Sequence, residues 1–202
     1  MIFTAVILGL IEGLTEFLPV SSTGHLIVAG HLMGYTGRSA AVFEVVIQLG
    51  AILAVVWEYR ARLWIAAIET VSPRGGASSG LARNLLVGFV PAGVAGLLLH
   101  RIIEEHLFGP LTVGAALVAG GIAMIGIERT RPAAGITSVT AIPWTKALWI
   151  GMAQALSLFP GVSRAAATIM GGMVVGLDRR TATEFSFYLA IPTMLAVTGY
   201  DL

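Results

Sequence analysis

The sequence predicts an all-α integral membrane protein built as an inverted repeat, each copy opening on a re-entrant helical hairpin. Three observations carry that expectation. The chain of 202 residues is 56% hydrophobic and only 11% charged, with mean hydropathy +0.88, whereas soluble domains run about 25% charged. Two apolar runs are broken by proline and serine, at Pro19–Ser22 and at Pro160–Ser163. A shift of 142 residues aligns Ala5–Val56 with Ala147–Thr198 without a gap, giving fifteen identities in 52 positions.

Met1–Leu18 reads as an apolar helix with one acidic face, because Glu12 and Glu16 lie one turn apart. Pro19 ends it by removing a donor and by disfavouring helical geometry at Leu18. Ser21, Ser22 and Thr23 are good N-cap residues for a second arm, Ser22–Gly34, with His25 in its first turn. That arm is about 20 Å long at helical rise, too short for a hydrocarbon core of roughly 30 Å. The pair therefore reads as a hairpin that returns to the side it entered. Spans follow at Ala40–Trp57, Leu81–His100 and Leu111–Ile127, the first two joined by a polar connector with Ser72–Gly80 as its flexible part. After a polar stretch near Arg129–Thr145 come a second apolar arm Lys146–Phe159, a break at Pro160–Arg164, a short arm to Gly176 and a last span Thr183–Thr198.

These elements form one membrane domain over 1–202, with a first repeat at 1–130 and an incomplete second repeat at 146–202. Three intervening spans are an odd number, so the second hairpin enters from the opposite face. Arg60, Arg62, Arg74, Arg83, Arg129, Arg131, Lys146, Arg179 and Arg180 then share one side, with Arg38 and Arg101 on the other. The positive-inside rule makes the first side cytoplasmic and puts the N-terminus and first hairpin toward the outer face. Counterparts of Leu81–His100 and Leu111–Ile127 are lacking in the second copy. The expectation is a C-terminally truncated or naturally shortened form of a protein of roughly 270 residues, less stable in detergent and weakly active or inactive unless a partner or a homodimer fills the gap.

The chemistry concentrates at the two breaks. Carboxylates at membrane depth cost roughly 2.5–3.5 kcal/mol each on insertion scales, so Glu12 and Glu16 are expected to be functional. Arg164 is the one basic residue outside a loop, and Ser163 before it can cap a helix whose next turn carries Thr168. Facing hairpins would bring two helix N-termini, an arginine fork and several hydroxyls toward Glu12, Glu16 and His25, a setting for phosphate. A structural reading also stands, in which Arg164 neutralises Glu12 or Glu16. The two can alternate, an ion pair when empty and a clamp when filled. A net charge of +1 gives no basis for nucleic-acid binding, and the absence of cysteine excludes disulfides and thiolate metal sites.

The stretches EGLTEFLPVSSTGHL from Glu12 and PGVSRAAAT from Pro160 resemble the two signature motifs of the bacterial undecaprenyl-diphosphate phosphatases of the bacitracin-resistance type. FEVVIQLGAILAV at Phe43–Val55 resembles that family's next helix. The resemblance implies release of phosphate from undecaprenyl diphosphate at the bacterial plasma (inner) membrane, recycling the carrier lipid for peptidoglycan synthesis. It implies Glu12, Glu16, Ser22, His25, Ser163, Arg164 and Thr168 as site residues, with Ser21 and Gln48 beside them. Two carboxylates facing a diphosphate would repel it unless a shared proton or a divalent cation, magnesium or calcium held by Glu12 and Glu16, lies between them, and the resemblance implies metal assistance. Ala165 departs from the family, which often has serine there. Ser22 is the expected nucleophile, with His25 as its base or orienter and Glu16 tuning His25 or activating water. Alternatively, Ser22 only holds phosphate while Glu16 or His25 activates water. A transporter or flippase of a lipid phosphate or small anion is the competing class, and it would not need the trio Ser22, His25 and Glu16.

Overall fold

A computed structural model describes residues 2–72, 76, 79–107, 109–130, 133 and 135–201. Its regular elements are helical: α1 Ile2–Thr15, α2 Ser22–Leu32, α3 Arg38–Glu58, α4 Arg60–Val71, α5 Ser79–Leu107, α6 Pro110–Thr130, α7 Trp144–Ala155, α8 Arg164–Val174 and α9 Arg179–Asp201. Among the described residues there is no strand beyond one isolated parallel bridge between Ile136 and Leu177. Most of the Ser72–Gly80 connector, with Arg74, and also Arg131 lie outside the described residues.

The sequence repeat is written into the helix bounds. Displaced by 142 residues, the bounds of α2 are those of α8, and both helices end in the same Schellman cap. Tyr35 N–H donates to the Gly30 carbonyl (2.8 Å) and Gly34 N–H to that of His31 (3.2 Å); Leu177 donates to Gly172 (3.0 Å) and Gly176 to Met173 (3.1 Å). Gly34 (φ 65°) and Gly176 (φ 94°) supply the left-handed residue this cap needs. The breaks before the two short helices differ. Ser21 adopts φ 62°, an uncommon choice for a residue with a Cβ, whereas the second break uses Gly161 at φ 94°.

The core lies in the second half, where Ile150 of α7, Ala165, Ile169 and Met173 of α8, and Phe185, Tyr188 and Leu189 of α9 are buried together with Ala66 of α4 and Leu81 of α5. α5 crosses α7 closely, because Gly88 and Gly151 let the backbones meet; a Cβ on Gly151 would fall 2.2 Å from the Gly88 carbonyl oxygen. α1 packs on α2 and α3, and α3 packs on α9. The first break is thereby held against the second half by way of α3, and Phe17 seals it against Phe187 with ring centroids 5.3 Å apart.

Two described helices are long and apolar enough to cross a membrane, Gly80–Leu99 and Leu111–Thr130, and α3 with α4 makes a third if that pair, bent by 75°, counts as one span. Three expectations need correction. Part of the polar connector is α4, a helix with arginines at one end and exposed Trp64, Ile65 and Ile68 along it. Its mixed composition hid it, since Arg60, Arg62 and Glu69 interrupt the apolar residues. α5 runs beyond His100, the expected end of its span, to Leu107, with Pro91 inside it. α9 covers the expected last span but is not among the helices apolar enough to cross. It buries Thr181, Ser186 and Thr198 inside the protein, which lowers its apolar signal.

Candidate active site

α1 ends at Thr15, whose hydroxyl donates back to the Ile11 carbonyl (2.6 Å), and a turn over Glu16–Val20 leads to α2. Glu16 stands on this turn, 8% exposed, and both its carboxylate oxygens are taken. Oε1 accepts from Arg164 Nη2 at 2.6 Å, and Oε2 accepts a hydrogen bond from the Ser22 hydroxyl. Ser22 is the first residue of α2 and Arg164 the first of α8. One carboxylate thus gathers the N-termini of both short helices, where unsatisfied backbone N–H groups and the helix dipoles favour an anion. Ser163 caps α8 by accepting from Ala166 N–H (3.2 Å), as its sequence position led us to expect. Ser21 occupies the equivalent place before α2 but makes no such side-chain bond, so the expected serine cap is absent there.

Arg164 is fixed from α9. Its Nη1 donates to the Ser186 carbonyl (3.4 Å), its Nη2 lies 3.4 Å from the Met194 sulfur, and its buried Nε has no partner among the described residues. Thr168, 1% exposed, does not project into the cluster as a free hydroxyl. It bonds to the Arg164 carbonyl (2.9 Å) and meets the Ser186 hydroxyl at 2.6 Å, locking α8 to α9 beneath the arginine. Ser186 and Met194 are contributors that sequence reasoning missed. The repeat held a signal for the first, since the 142-residue offset pairs Ser186 with Glu44.

Glu12, one turn before Glu16, is 1% exposed, and neither carboxylate oxygen accepts a hydrogen bond among the described residues. A buried carboxylate without a partner is costly. His25 lies in the first turn of α2 but is exposed, with Nδ1 2.8 Å from the Ser21 carbonyl. The geometry therefore pairs the Ser22 hydroxyl with Glu16 and not with His25. Gln48 is half-buried on α3 one turn beyond Glu44, and no bond joins it to the cluster.

Comparison with known proteins decides the kinship. Residues 5–202 match the family described as Bacitracin resistance protein BacA. This chain belongs to that family. The undecaprenyl-diphosphatase of Laribacter hongkongensis is 52% identical over 198 residues, which cover 98% of this chain and 72% of that protein. Those of Ectopseudomonas mendocina and Methylobacillus flagellatus are each 53% identical, over the whole of this chain and 72% and 76% of theirs. The family match takes in both breaks, so the cluster around Glu16 lies within the shared region.

Proposed function

We infer that this chain is an undecaprenyl-diphosphatase, hydrolysing undecaprenyl diphosphate to undecaprenyl phosphate and inorganic phosphate. In the bacterial plasma membrane that reaction recycles the carrier lipid for peptidoglycan synthesis and underlies bacitracin resistance. The observation that carries the chemistry is Glu16 holding Ser22 and Arg164 at once. A general base already bonded to a hydroxyl, beside a guanidinium and two helix N-termini, is what phosphoryl transfer requires.

In our reading Ser22 Oγ attacks the terminal phosphorus as Glu16 takes its proton, the anhydride bond breaks, and undecaprenyl phosphate leaves. Water then attacks the phosphoserine, phosphate is released, and the proton returns to Ser22. Protonation cancels the charge on Glu16, so Arg164 is released from its ion pair as negative charge builds on the transferring phosphoryl group. The ion pair and the phosphate clamp are then successive states of one arginine. His25 donates Nδ1–H to Ser21, which leaves Nε2 as an acceptor for a proton of the attacking water. Ser163 and Thr168 hold Arg164 in place.

Among the described residues no three His, Asp or Glu side chains come together as a metal site. Magnesium, however, is commonly held by one or two carboxylates plus substrate phosphates. The orphaned Glu12 oxygens beside Glu16 fit that pattern. A cation there would neutralise diphosphate charge.

The inverted arrangement belongs to the same reading. Its support is the repeated cap geometry and the gathering of charge at one end. There Arg62 pairs with Glu184, Arg179 with Glu128, and the Lys146 ammonium lies over Gly176. We place that end in the cytoplasm and the first hairpin toward the outer face. The test is phosphate release from undecaprenyl diphosphate by the purified protein in detergent. Release in proportion to enzyme supports the assignment, and none across detergents that preserve the fold contradicts it.

A further inference from the structure

A cavity lies at the basic end, and none of Glu16, Ser22 and Arg164 lines it. The elbow between α3 and α4 and the start of α9 enclose about 650 Å³, lined by Tyr59, Arg62, Arg179, Arg180, Glu184 and Phe187 among others. Its arginines are held yet available. Glu184 orients Arg62 and also accepts from the Tyr188 hydroxyl (3.1 Å), and Glu128 orients Arg179. Even so, the side chains of Arg62 and Arg179 remain 59% and 60% exposed, with guanidinium donors to spare. Arg180 is exposed and makes no ion pair among the described residues. One wall is aromatic, with the rings of Tyr59 and Phe187 6.4 Å apart.

The cavity opens beside α4, and α4 suggests the occupant. It leaves α3 at 75°, the attitude of a helix lying in the membrane plane when its neighbour crosses it. Trp64 (69% exposed), Ile65 (49%) and Ile68 (50%) are uncovered along it, while Ala66 is buried in the core. A helix with arginines at one end and an exposed aromatic and aliphatic surface suits the boundary between headgroups and acyl chains. Basic pockets between helices on that side of a membrane are sites for anionic headgroups.

We propose that this cavity binds the phosphate headgroup of an anionic membrane phospholipid, held by Arg62, Arg179 and Arg180, with the acyl chains lying over Trp64, Ile65 and Ile68. The proposal rests on the membrane reading of the chain and not on the phosphatase chemistry, so loss of turnover would leave it standing. Free phosphate could satisfy the arginines but would leave the apolar surface of α4 uncovered.

The test is native mass spectrometry of the purified protein titrated with phosphatidylglycerol, and with phosphatidylcholine of the same chains. Phosphatidylglycerol should be retained preferentially. Arg180→Gln removes no ion pair, so the variant should fold and should weaken retention about fivefold, the contribution of one basic residue at an anionic surface. Arg62→Gln should do the same or more. Arg83→Gln, at the same end on α5 but outside the cavity lining, should leave retention unchanged. Equal retention of the two lipids, equal losses in Arg83→Gln and Arg180→Gln, or displacement by equimolar inorganic phosphate would each overturn the proposal.

Discussion

Arg164 and Glu16, 148 residues apart in the chain, meet at 2.6 Å with side chains only 11% and 7% exposed. Two charges so far from water are held together strongly, and removing either partner strands the other at a cost of about 3–5 kcal/mol. The bond does more than hold α8 to the first break. In the proposed mechanism it also keeps an arginine beside the base of Ser22, so that one proton transfer would change what both neighbours of Glu16 can bind.

Ser22→Ala should abolish turnover if the serine is the nucleophile. Acid quenching of the wild type during turnover with labelled substrate should trap label on Ser22, and the variant should trap none. Substantial release by Ser22→Ala, with no trapped label in the wild type, would move the serine to the role of phosphate ligand and make water the attacking group.

His25→Ala should separate catalysis from folding. The side chain is exposed and its one bond is to a carbonyl on its own turn, so the melting temperature should stay within about a degree. Turnover should fall about 10²-fold or more, in the range for loss of a general acid–base group. Unchanged kcat would remove His25 from the mechanism.

The repeat provides an internal control for packing. Gly151→Ala drives a Cβ to 2.2 Å from the Gly88 oxygen, whereas a Cβ on its counterpart Gly9 meets nothing within 4 Å. The first substitution should destabilise by about 1–3 kcal/mol in a detergent unfolding titration, as overpacking does. Gly9→Ala should be neutral or slightly stabilising. Equal effects would mean that α5 and α7 do not cross where described.

Asp178 caps α9 by accepting from Thr181 N–H at 2.7 Å, and hydrogen bonding from Thr181 holds its carboxyl below the usual value near 3.8. Because the folded pKa is depressed, the stabilisation is present above the unfolded value and lost as pH falls through the folded one. Asp178→Ala should cost about 0.5–2 kcal/mol at pH 7. The gap to the wild type should close as pH falls through the depressed pKa of the folded carboxyl. A gap independent of pH would show that the charge contributes nothing.

Much of this arrangement is legible in the sequence because the breaks are local events. Pro19, Ser163 and the paired glycines Gly34 and Gly176 dictate their turns through backbone geometry, and α2 and α8 follow. Glu16 and Arg164 stood out because charge in an apolar run has few uses. The partners of those charges depend on packing at long range. That is why Ser22 falls to Glu16 while its near neighbour in sequence, His25, turns to Ser21, and why Ser186, an ordinary serine on a long helix, ends beneath Arg164. α4 escaped because its arginines masked an amphipathic helix, and α9 lost its apolar signal through polar residues that the protein itself buries.

The central claim is that Glu16 is the base that activates Ser22 and releases Arg164. Single-turnover phosphate release by Glu16→Gln, compared with the wild type at saturating undecaprenyl diphosphate, tests it most directly. The substitution keeps the shape and the capacity to hydrogen-bond to Ser22 and Arg164 but cannot accept a proton. The account predicts a loss of about 10²–10⁴ in the chemical step, read on the fraction that circular dichroism shows folded and that still binds substrate, because the substitution leaves the Arg164 charge unpaired. A Glu16→Gln variant that releases phosphate at the wild-type rate would contradict it.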